Sequence, residues 1–244
     1  AGFLGSTANH VTAIGDSSLV HNTVSENVAL GYKALFNNTT GQANTASGST
    51  ALAANTTGGN NTAMGYASMF FNTTGDYNSG YGENTLYANT TGDFNTAVGV
   101  FALADNTTGY NNTAIGMQSL NFTSTGRQNT GLGYNTGSGN VTGSNLTLVG
   151  YNANVFSANL SNSTALGNWA FVDGSNQVRI GNSSVTSIGG YTGWTNISDG
   201  RVKKNIRQNI PGLLFINKLQ PVSYNLDLNA IDAILHPDGD STAK

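Results

Sequence analysis

Short strand-like segments, each ending in a glycine, recur at a constant distance along the chain. The segment Asn112-Thr113-Ala114-Ile115-Gly116 is one of the clearest copies. A weaker first copy, Val11 to Gly15, ends 16 residues before the next closing glycine. The later closing glycines follow one another at intervals of 17 residues, at Gly31, Gly48, Gly65, Gly82, Gly99, Gly116, Gly133, Gly150 and Gly167. A fixed period of this length indicates a repeat architecture.

A second series of glycines with the same period marks turns between these segments. In the best copies the glycine follows Asn-Thr-Thr, where Asn can bond to its own backbone and Gly accepts positive φ. The series comprises Gly41, Gly58, Gly75, Gly92, Gly109, Gly126 and Gly143. A further short stretch follows each closing glycine, for example Met117-Gln118-Ser119-Leu120. The sequence therefore predicts one reversal and about two short strands per repeat.

A repeat this small cannot bury its own apolar face, so each copy must stack on its neighbours as one coil. The predicted fold class is all-β, a parallel β-solenoid or β-roll, followed by a small α+β C-terminal segment. Coils in register lie about 4.8 Å apart, so roughly nine of them would form a shaft on the order of 40–45 Å long. We expect three regions: a shaft over residues 1–171, a β-rich neck over 172–197 and a third region over 198–244. Within the neck, the sequence predicts strands at Gln177–Asn182 and Thr186–Gly190.

Equivalent positions in successive repeats form four columns. Small residues form one column, at Ala46, Ala63, Gly80, Ala97, Ala114, Gly131 and Ala165. Larger apolar residues form the predicted main core ladder, at Leu35, Leu52, Met69, Leu86, Leu103 and Leu120. Stacked amides that can bond from coil to coil form the third column, at Asn44, Asn61, Asn78, Asn95, Asn112 and Asn129. Hydroxyl residues form the fourth column, at Thr45, Thr62, Ser79, Thr96, Thr113, Thr130, Thr147 and Thr164. These residues either face solvent as a hydroxyl ladder or only satisfy strand propensity.

Charge and composition argue against most other classes of protein. Only 9% of the residues are charged and the net charge is −3, and residues 1–197 contain three basic side chains, Lys33, Arg127 and Arg179, so we expect no nucleic-acid partner. There is no long apolar run, so membrane insertion is not expected. The three histidines are isolated and there is no cysteine, so we expect neither a metal nor a cofactor. No carboxylate pair in a cleft is evident, so we expect no turnover enzyme.

Two alternatives remain open on composition. The hydroxyl column also fits an ice- or surface-binding solenoid, although a flat array usually needs two such columns and only one is well filled. Many Asn-x-Ser/Thr triplets would allow dense glycosylation of an extracellular filament, although turn chemistry explains them equally well. The triplets in the turns begin at Asn38, Asn55, Asn72, Asn89 and Asn106.

The copies Asn61-Thr62-Ala63-Met64-Gly65 and Asn112-Thr113-Ala114-Ile115-Gly116 resemble the collagen-binding-adhesin-like head repeats of trimeric autotransporters. The period differs from the shorter repeat of that family, and the match is closer to long-tail-fibre-like proteins of phages and related bacterial surface proteins. This resemblance implies a homotrimer, an extracellular location on a virion tail fibre or a bacterial cell surface, and a cell-surface or glycan receptor.

The segment from Ser198 to Ile206 is similar to the opening of the intramolecular chaperone (peptidase S74-like) found on endosialidases, tail spikes and tail fibres. The resemblance implies that Ser198 and Lys203 carry out one self-cleavage per chain. A hydroxyl is a weak nucleophile and needs a base such as a lysine of lowered pKa. Supporting residues would be Asp199, Arg201 and Lys204. Further on, Pro211–Leu219 predicts a short amphipathic helix and Pro221–Leu226 a strand.

Overall fold

Thirteen short strands and no helix lie in residues 10–190, the part of the chain that the computed structural model describes. The strands are β1 (Thr12–Ile14), β2 (Val28–Leu30), β3 (Thr45–Ser47), β4 (Thr62–Met64), β5 (Ser79–Tyr81), β6 (Thr96–Val98), β7 (Thr113–Ile115), β8 (Thr130–Leu132), β9 (Ser144–Val149), β10 (Asn154–Val155), β11 (Ser161–Leu166), β12 (Phe171–Val172) and β13 (Val178–Ile180). All strand pairs are parallel, which confirms the predicted β-solenoid.

Eleven strands form one sheet in the order β1-β2-β3-β4-β5-β6-β7-β8-β9-β11-β13, and β10 and β12 form a second, two-stranded sheet. Within the regular part each residue pairs with the one 17 positions later, as Ala46 pairs with Ala63. One repeat is therefore one coil. At about 4.8 Å per coil, the large sheet extends about 48 Å along the stacking direction.

The stretch after each closing glycine does not form the predicted second strand in the regular coils. Met117-Gln118-Ser119-Leu120 is a run of turns in which Gln118 and Leu120 have φ of 58° and 51°. Two left-handed L-residues cost about 2–4 kcal/mol, and burial of one leucine side chain gains about 1.5–3 kcal/mol. The backbone N–H groups of Gln118 and Leu120 also donate to neighbouring coils, to the Val100 oxygen at 2.9 Å and the Thr136 oxygen at 2.8 Å. The coil accepts the strain because alternate left-handed residues bend the chain tightly enough to point the leucine into the core. Within residues 10–190, a second strand appears only as β10 and β12.

The Asn-Thr-Thr-Gly turns form as predicted, but their glycines are needed for a different reason. The Nδ2 of Asn38 donates to the Gly41 carbonyl oxygen at 2.8 Å, as expected of a turn asparagine. None of the seven turn glycines has positive φ. A Cβ on Gly75 would lie 2.5 Å from both the Gly92 oxygen and the Asn72 Oδ1, so close packing of the coils excludes a side chain there. Positive φ belongs instead to the closing glycines, such as Gly31 at 135°.

The predicted apolar and small columns both form the core. Every leucine and methionine of the main ladder has no exposed surface, and neither do the alanines of the small-residue column. One coil exchanges the two columns: Gly137 takes the ladder position after Leu120, and Leu148 takes the small position. A Cβ on Gly137 would lie 2.9 Å from the Leu148 Cδ1, so the leucine of one column fills the space left by the other. The core keeps its volume although the pattern changes.

The sheet continues past residue 171. The 17-residue spacing ends there, but β13 pairs with β11 at a spacing of 14 residues, with Thr164 opposite Val178. The predicted strand at Gln177–Asn182 is thus present as Val178–Ile180 and adds a shorter coil to the same stack. The predicted strand at Thr186–Gly190 is wrong, because these residues form no regular structure and pair with no neighbour in the described sheet.

Candidate functional site

From β2 to β8, each three-residue strand buries its middle side chain and leaves its two flanking side chains half-buried or exposed. In β4, Ala63 is fully buried, whereas Thr62 is half-buried and Met64 is exposed. This alternation follows from the period of two in a β-strand. The large sheet therefore presents two parallel columns of side chains on its outer face, one from the first and one from the third strand position.

The third strand position carries a large apolar side chain in nearly every coil. These residues form what we call the outer apolar column, and their exposed fractions range from 36% for Val98 to 64% for Ile14. Its exposed members are Ile14, Met64, Tyr81, Val98, Ile115, Leu132, Leu166 and Ile180. Contiguous apolar surface on this scale marks an interaction site more often than free surface. The sequence interpretation missed this column, although a large apolar residue before each closing glycine was its signal.

The hydroxyl column lies beside the outer apolar column. Most of its members, such as Thr62 and Thr96, are half-buried rather than fully exposed. The outer face thus pairs one hydroxyl column with one apolar column of varied side-chain size, which is not the double threonine array that flat ice-binding surfaces use. From β1 to β11 neither outward column contains a charged side chain.

The predicted asparagine column forms a ladder beneath this face. The Oδ1 of Asn78 accepts the backbone N–H of Asn95 at 3.0 Å, and the Nδ2 of Asn78 donates to the Gly92 carbonyl oxygen at 2.8 Å. The same bonds recur in each regular coil. At its end the ladder remains satisfied, because the backbone N–H of Leu146 donates to the Asn129 Oδ1 at 3.0 Å.

The turn asparagines form a second ladder, which the sequence interpretation treated only as turn formers. The Nδ2 of Asn72 donates to the Asn55 Oδ1 at 2.8 Å and to the Gly75 carbonyl oxygen at 3.0 Å, and these asparagines are fully buried. The ladder is interrupted at Thr123, and the buried Asn106 Oδ1 has no hydrogen-bond partner. The period-17 recurrence of Asn in the turns was the signal for this ladder.

These bonds argue against the alternative of glycans on the turn asparagines. Glycosylation would replace one hydrogen of the Nδ2, yet in Asn55 the Nδ2 donates to both the Asn38 Oδ1 and the Gly58 carbonyl oxygen. The five turn asparagines singled out by the sequence have no exposed surface. A glycan on any of them is incompatible with the folded coil.

The resemblance to known fibres finds no further support from outside the chain. No protein-family model and no curated protein matches it. The proposed site residues Ser198, Asp199, Arg201, Lys203 and Lys204 lie outside the residues that the structure describes. Their role in self-cleavage therefore stays a prediction.

Charged side chains are few within residues 10–190. No group of three His, Asp or Glu side chains there is placed to hold a metal ion, and no helix there is long and apolar enough to cross a membrane. An ion pair joins Arg179 Nη2 to Asp173 Oδ1 at 3.3 Å on the last coil, where both side chains are exposed. Hydrogen bonds from Gln177 and then from Arg179 lower the pKa of the Asp173 carboxyl.

Proposed function

We propose that this chain is a structural segment of an extracellular fibre or adhesin, of the kind found in phage tail fibres and on bacterial surfaces, and that it assembles as a homotrimer. The observation that carries the proposal is the outer apolar column, which runs along a rigid stack of in-register coils. Regular coils that are joined by hydrogen-bonded ladders form a long, stiff stack, which is what a shaft requires. The resemblance to fibre repeats and to an intramolecular chaperone supports the extracellular role.

A second copy of the same chain is the partner that fits this face best. The outer apolar column is uncharged from β1 to β11, and it recurs in each coil of the sheet except that of β3, where Ser47 takes its place. Another copy in parallel register offers a column of the same length and spacing, so each coil can be covered in the same way. Closed cyclic assemblies are the usual result of such self-contact, and the resemblance to trimeric fibres selects three copies.

Magnitudes explain why many coils are needed. Removing the remaining exposed half of one Val, Leu or Ile side chain from water gains roughly 1 kcal/mol. Association of separate chains costs about 4–15 kcal/mol in lost translational and rotational freedom. One or two coils cannot offset that cost, whereas about ten coils in register can. The length of the apolar column is therefore a functional requirement of the proposal.

Sedimentation equilibrium of the chain tests the assembly. We expect a mass three times that of one chain. The variant Val98→Lys places a charge at the centre of the outer apolar column and should weaken the trimer. The variant Thr91→Lys adds the same charge at an exposed turn position away from that column and should leave the trimer unchanged. A wild-type chain that sediments as a stable monomer would overturn the proposal.

A single self-cleavage is the second part of the proposal. Ser198 would attack a peptide carbonyl carbon while Lys203, as the neutral amine, accepts the hydroxyl proton and passes it to the leaving amine as the peptide C–N bond breaks. Water would then hydrolyse the ester formed on Ser198, which releases the carboxylate and restores the hydroxyl. The support is the resemblance of this segment to chaperones that follow fibre repeats. Wild-type protein and the Ser198→Ala variant, incubated after folding and compared on a denaturing gel, should differ in the fragments they give. Identical fragments would dispose of the Ser198 role and leave the fibre proposal standing.

A further inference from the structure

A slot between two aromatic side chains lies on a surface formed by the turns after the closing glycines. Five residues after Gly31, Gly48 and Gly65, the side chains are Phe36, Ala53 and Phe70. Two aromatic rings thus occupy equivalent positions two coils apart, and the coil between them contributes only a methyl group. Ala53 is 7% exposed and forms the floor.

The orientation of the rings leaves one face of Phe70 turned toward the slot. Phe70 and Tyr87, in successive coils, have ring centroids 5.6 Å apart and planes inclined by 21°, so Tyr87 covers one face of Phe70. The opposite face is directed along the stack toward the coil of Ala53. On the far side, the His21 ring packs against Phe36 at 4.9 Å and 86°. Both aromatic walls are therefore supported from outside the slot, and both line it.

The slot opens into a cavity of about 410 Å³ with one positive charge beside it. The Lys33 Nζ lies 5.2 Å from the centroid of the Tyr32 ring and 5.5 Å from that of Phe36. No Asp or Glu of residues 10–190 forms an ion pair with Lys33. The cavity wall also includes the Thr50 side chain, whose Oγ1 donates to the Ser49 carbonyl oxygen at 2.7 Å and so remains free to accept a hydrogen bond.

These features specify the chemistry of a ligand. Two coils separate the aromatic walls by about 9.6 Å. A flat aromatic ring in contact with both walls needs only about 7 Å, since carbon atoms touch at 3.5–4.0 Å. A saturated six-membered sugar ring is thicker and presents C–H groups on both sides, which suit the negative faces of aromatic rings. The unpaired Lys33 ammonium selects an anionic group on that sugar.

We propose that the slot between Phe36 and Phe70 binds an acidic sugar residue of a glycan, with its carboxylate directed to Lys33. The inference rests on the proposed function in that a surface fibre contacts a receptor, and it assigns that contact to one place on the shaft and to one class of sugar. It does not depend on how many copies of the chain assemble.

Calorimetric titration of the full chain tests this site, with an oligogalacturonate of six units as the probe. The same oligomer with its carboxylates methyl-esterified is the matched uncharged control. We expect the acidic oligomer to bind, and both the esterified oligomer and the Lys33→Gln variant to weaken binding by about fivefold, the most that one exposed ion pair usually contributes. Equal binding of the two oligomers, or no binding of the acidic one at millimolar concentration, would overturn the proposal.

A second pair of variants separates the slot from the rest of the surface. Ala53→Phe places an aromatic ring where neighbouring coils already carry one, so the coil should fold while the slot is filled and binding is lost. Ala104→Phe makes the same change at the equivalent position of a distant coil and should leave binding intact. If Ala53→Phe fails to give the wild-type circular dichroism, Phe70→Leu removes one wall and must also abolish binding. Undiminished binding by a folded Ala53→Phe or by Phe70→Leu overturns the site, whereas sedimentation of the same samples reports separately on assembly.

Discussion

The regular coils, from β2 to β8, and the last coils, from β9 to β13, solve the same packing problem in different ways. The regular coils repeat each column without exchange, and each has a strand of three residues. In the last coils Gly137 and Leu148 exchange column sizes, Leu146 replaces an asparagine, and β9 and β11 lengthen to six residues. The difference teaches that the stack tolerates changed residues when volume and hydrogen bonds are conserved between neighbouring coils.

The two asparagine ladders end in different ways, and their comparison leads to the same conclusion about conserved hydrogen bonds. The strand ladder ends on the backbone N–H of Leu146, which every residue except proline can supply, and no polar atom is left alone. The turn ladder meets Thr123 and leaves the Asn106 Oδ1 unpaired. A ladder can therefore end without an unpaired acceptor where a backbone N–H replaces the lost side-chain donor. Where only a side chain could replace that donor, the acceptor stays unpaired.

The largest expected effect comes from adding a methyl group between coils of the regular region. Gly75→Ala would place a Cβ 2.5 Å from the Gly92 carbonyl oxygen, which belongs to the backbone and cannot move aside. We expect a loss of about 4 kcal/mol or more in the free energy of unfolding, measured by urea denaturation. Gly59→Ala is the control, because its Cβ would approach the Gln42 oxygen only to 3.1 Å. Equal losses in the two variants would contradict this account.

The exchanged columns can be restored to the regular pattern by a double substitution. Leu148→Ala alone leaves a cavity, and Gly137→Leu alone overfills the core, so each should lose about 2–4 kcal/mol. The backbone at Gly137 has φ of 65°, close to the 51° of Leu120, but a Cβ there would also lie 2.6 Å from the Leu120 Cδ2, which remains when Leu148 is shortened. We expect the double variant to lose less than the sum of the two single losses, by about 0.5–3 kcal/mol, because the two side chains share one space. Additive losses in a double-mutant cycle would show that the two side chains do not share one space.

Repairing the interrupted turn ladder should stabilise the chain. Thr123→Asn would supply an Nδ2 to the unpaired Asn106 Oδ1, and we expect a gain of about 1–2 kcal/mol in the free energy of unfolding. Thr123→Val is the control, since it adds no donor and also removes the Oγ1 that accepts from the Asn140 Nδ2 at 3.1 Å, so it should lose stability. A gain from the valine variant equal to that from asparagine would mean that the hydrogen bond is not the cause.

The smallest effect concerns the exposed ion pair of the last coil. The lowered pKa of Asp173 means that its carboxylate stabilises the folded chain above its ordinary pKa, and this contribution is lost as the pH falls through the lower, folded-state value. Because both side chains are more than half exposed, solvent screens the pair. We expect Asp173→Asn to leave the urea midpoint at pH 7 unchanged within error. A clear loss at pH 7 that disappears in acid would assign the pair a structural role.

Period and column identity were sufficient to predict the coil, the core ladders and the strand asparagine ladder, since each depends on residues that face each other every 17 positions. The second strand was predicted wrongly because residues such as Leu120 disfavour positive φ in isolation, and here burial and hydrogen bonds between coils together outweigh that preference. The turn glycines were assigned to φ because their true constraint, the carbonyl of the next coil, is a contact between repeats. The aromatic slot at Ala53 was also missed, because it depends on a coil that lacks an aromatic residue its neighbours have.

The equivalence of the coil interfaces has a consequence for how such a chain changes over generations. The regular coils share one backbone register and one core ladder, so an in-frame duplication or deletion of one repeat leaves these contacts matched between the remaining coils. Shaft length can therefore drift in steps of one coil, about 4.8 Å, without a refolding of the rest. The exchanged pair Gly137 and Leu148 sits in a single coil and would be carried or lost as one unit in any such event.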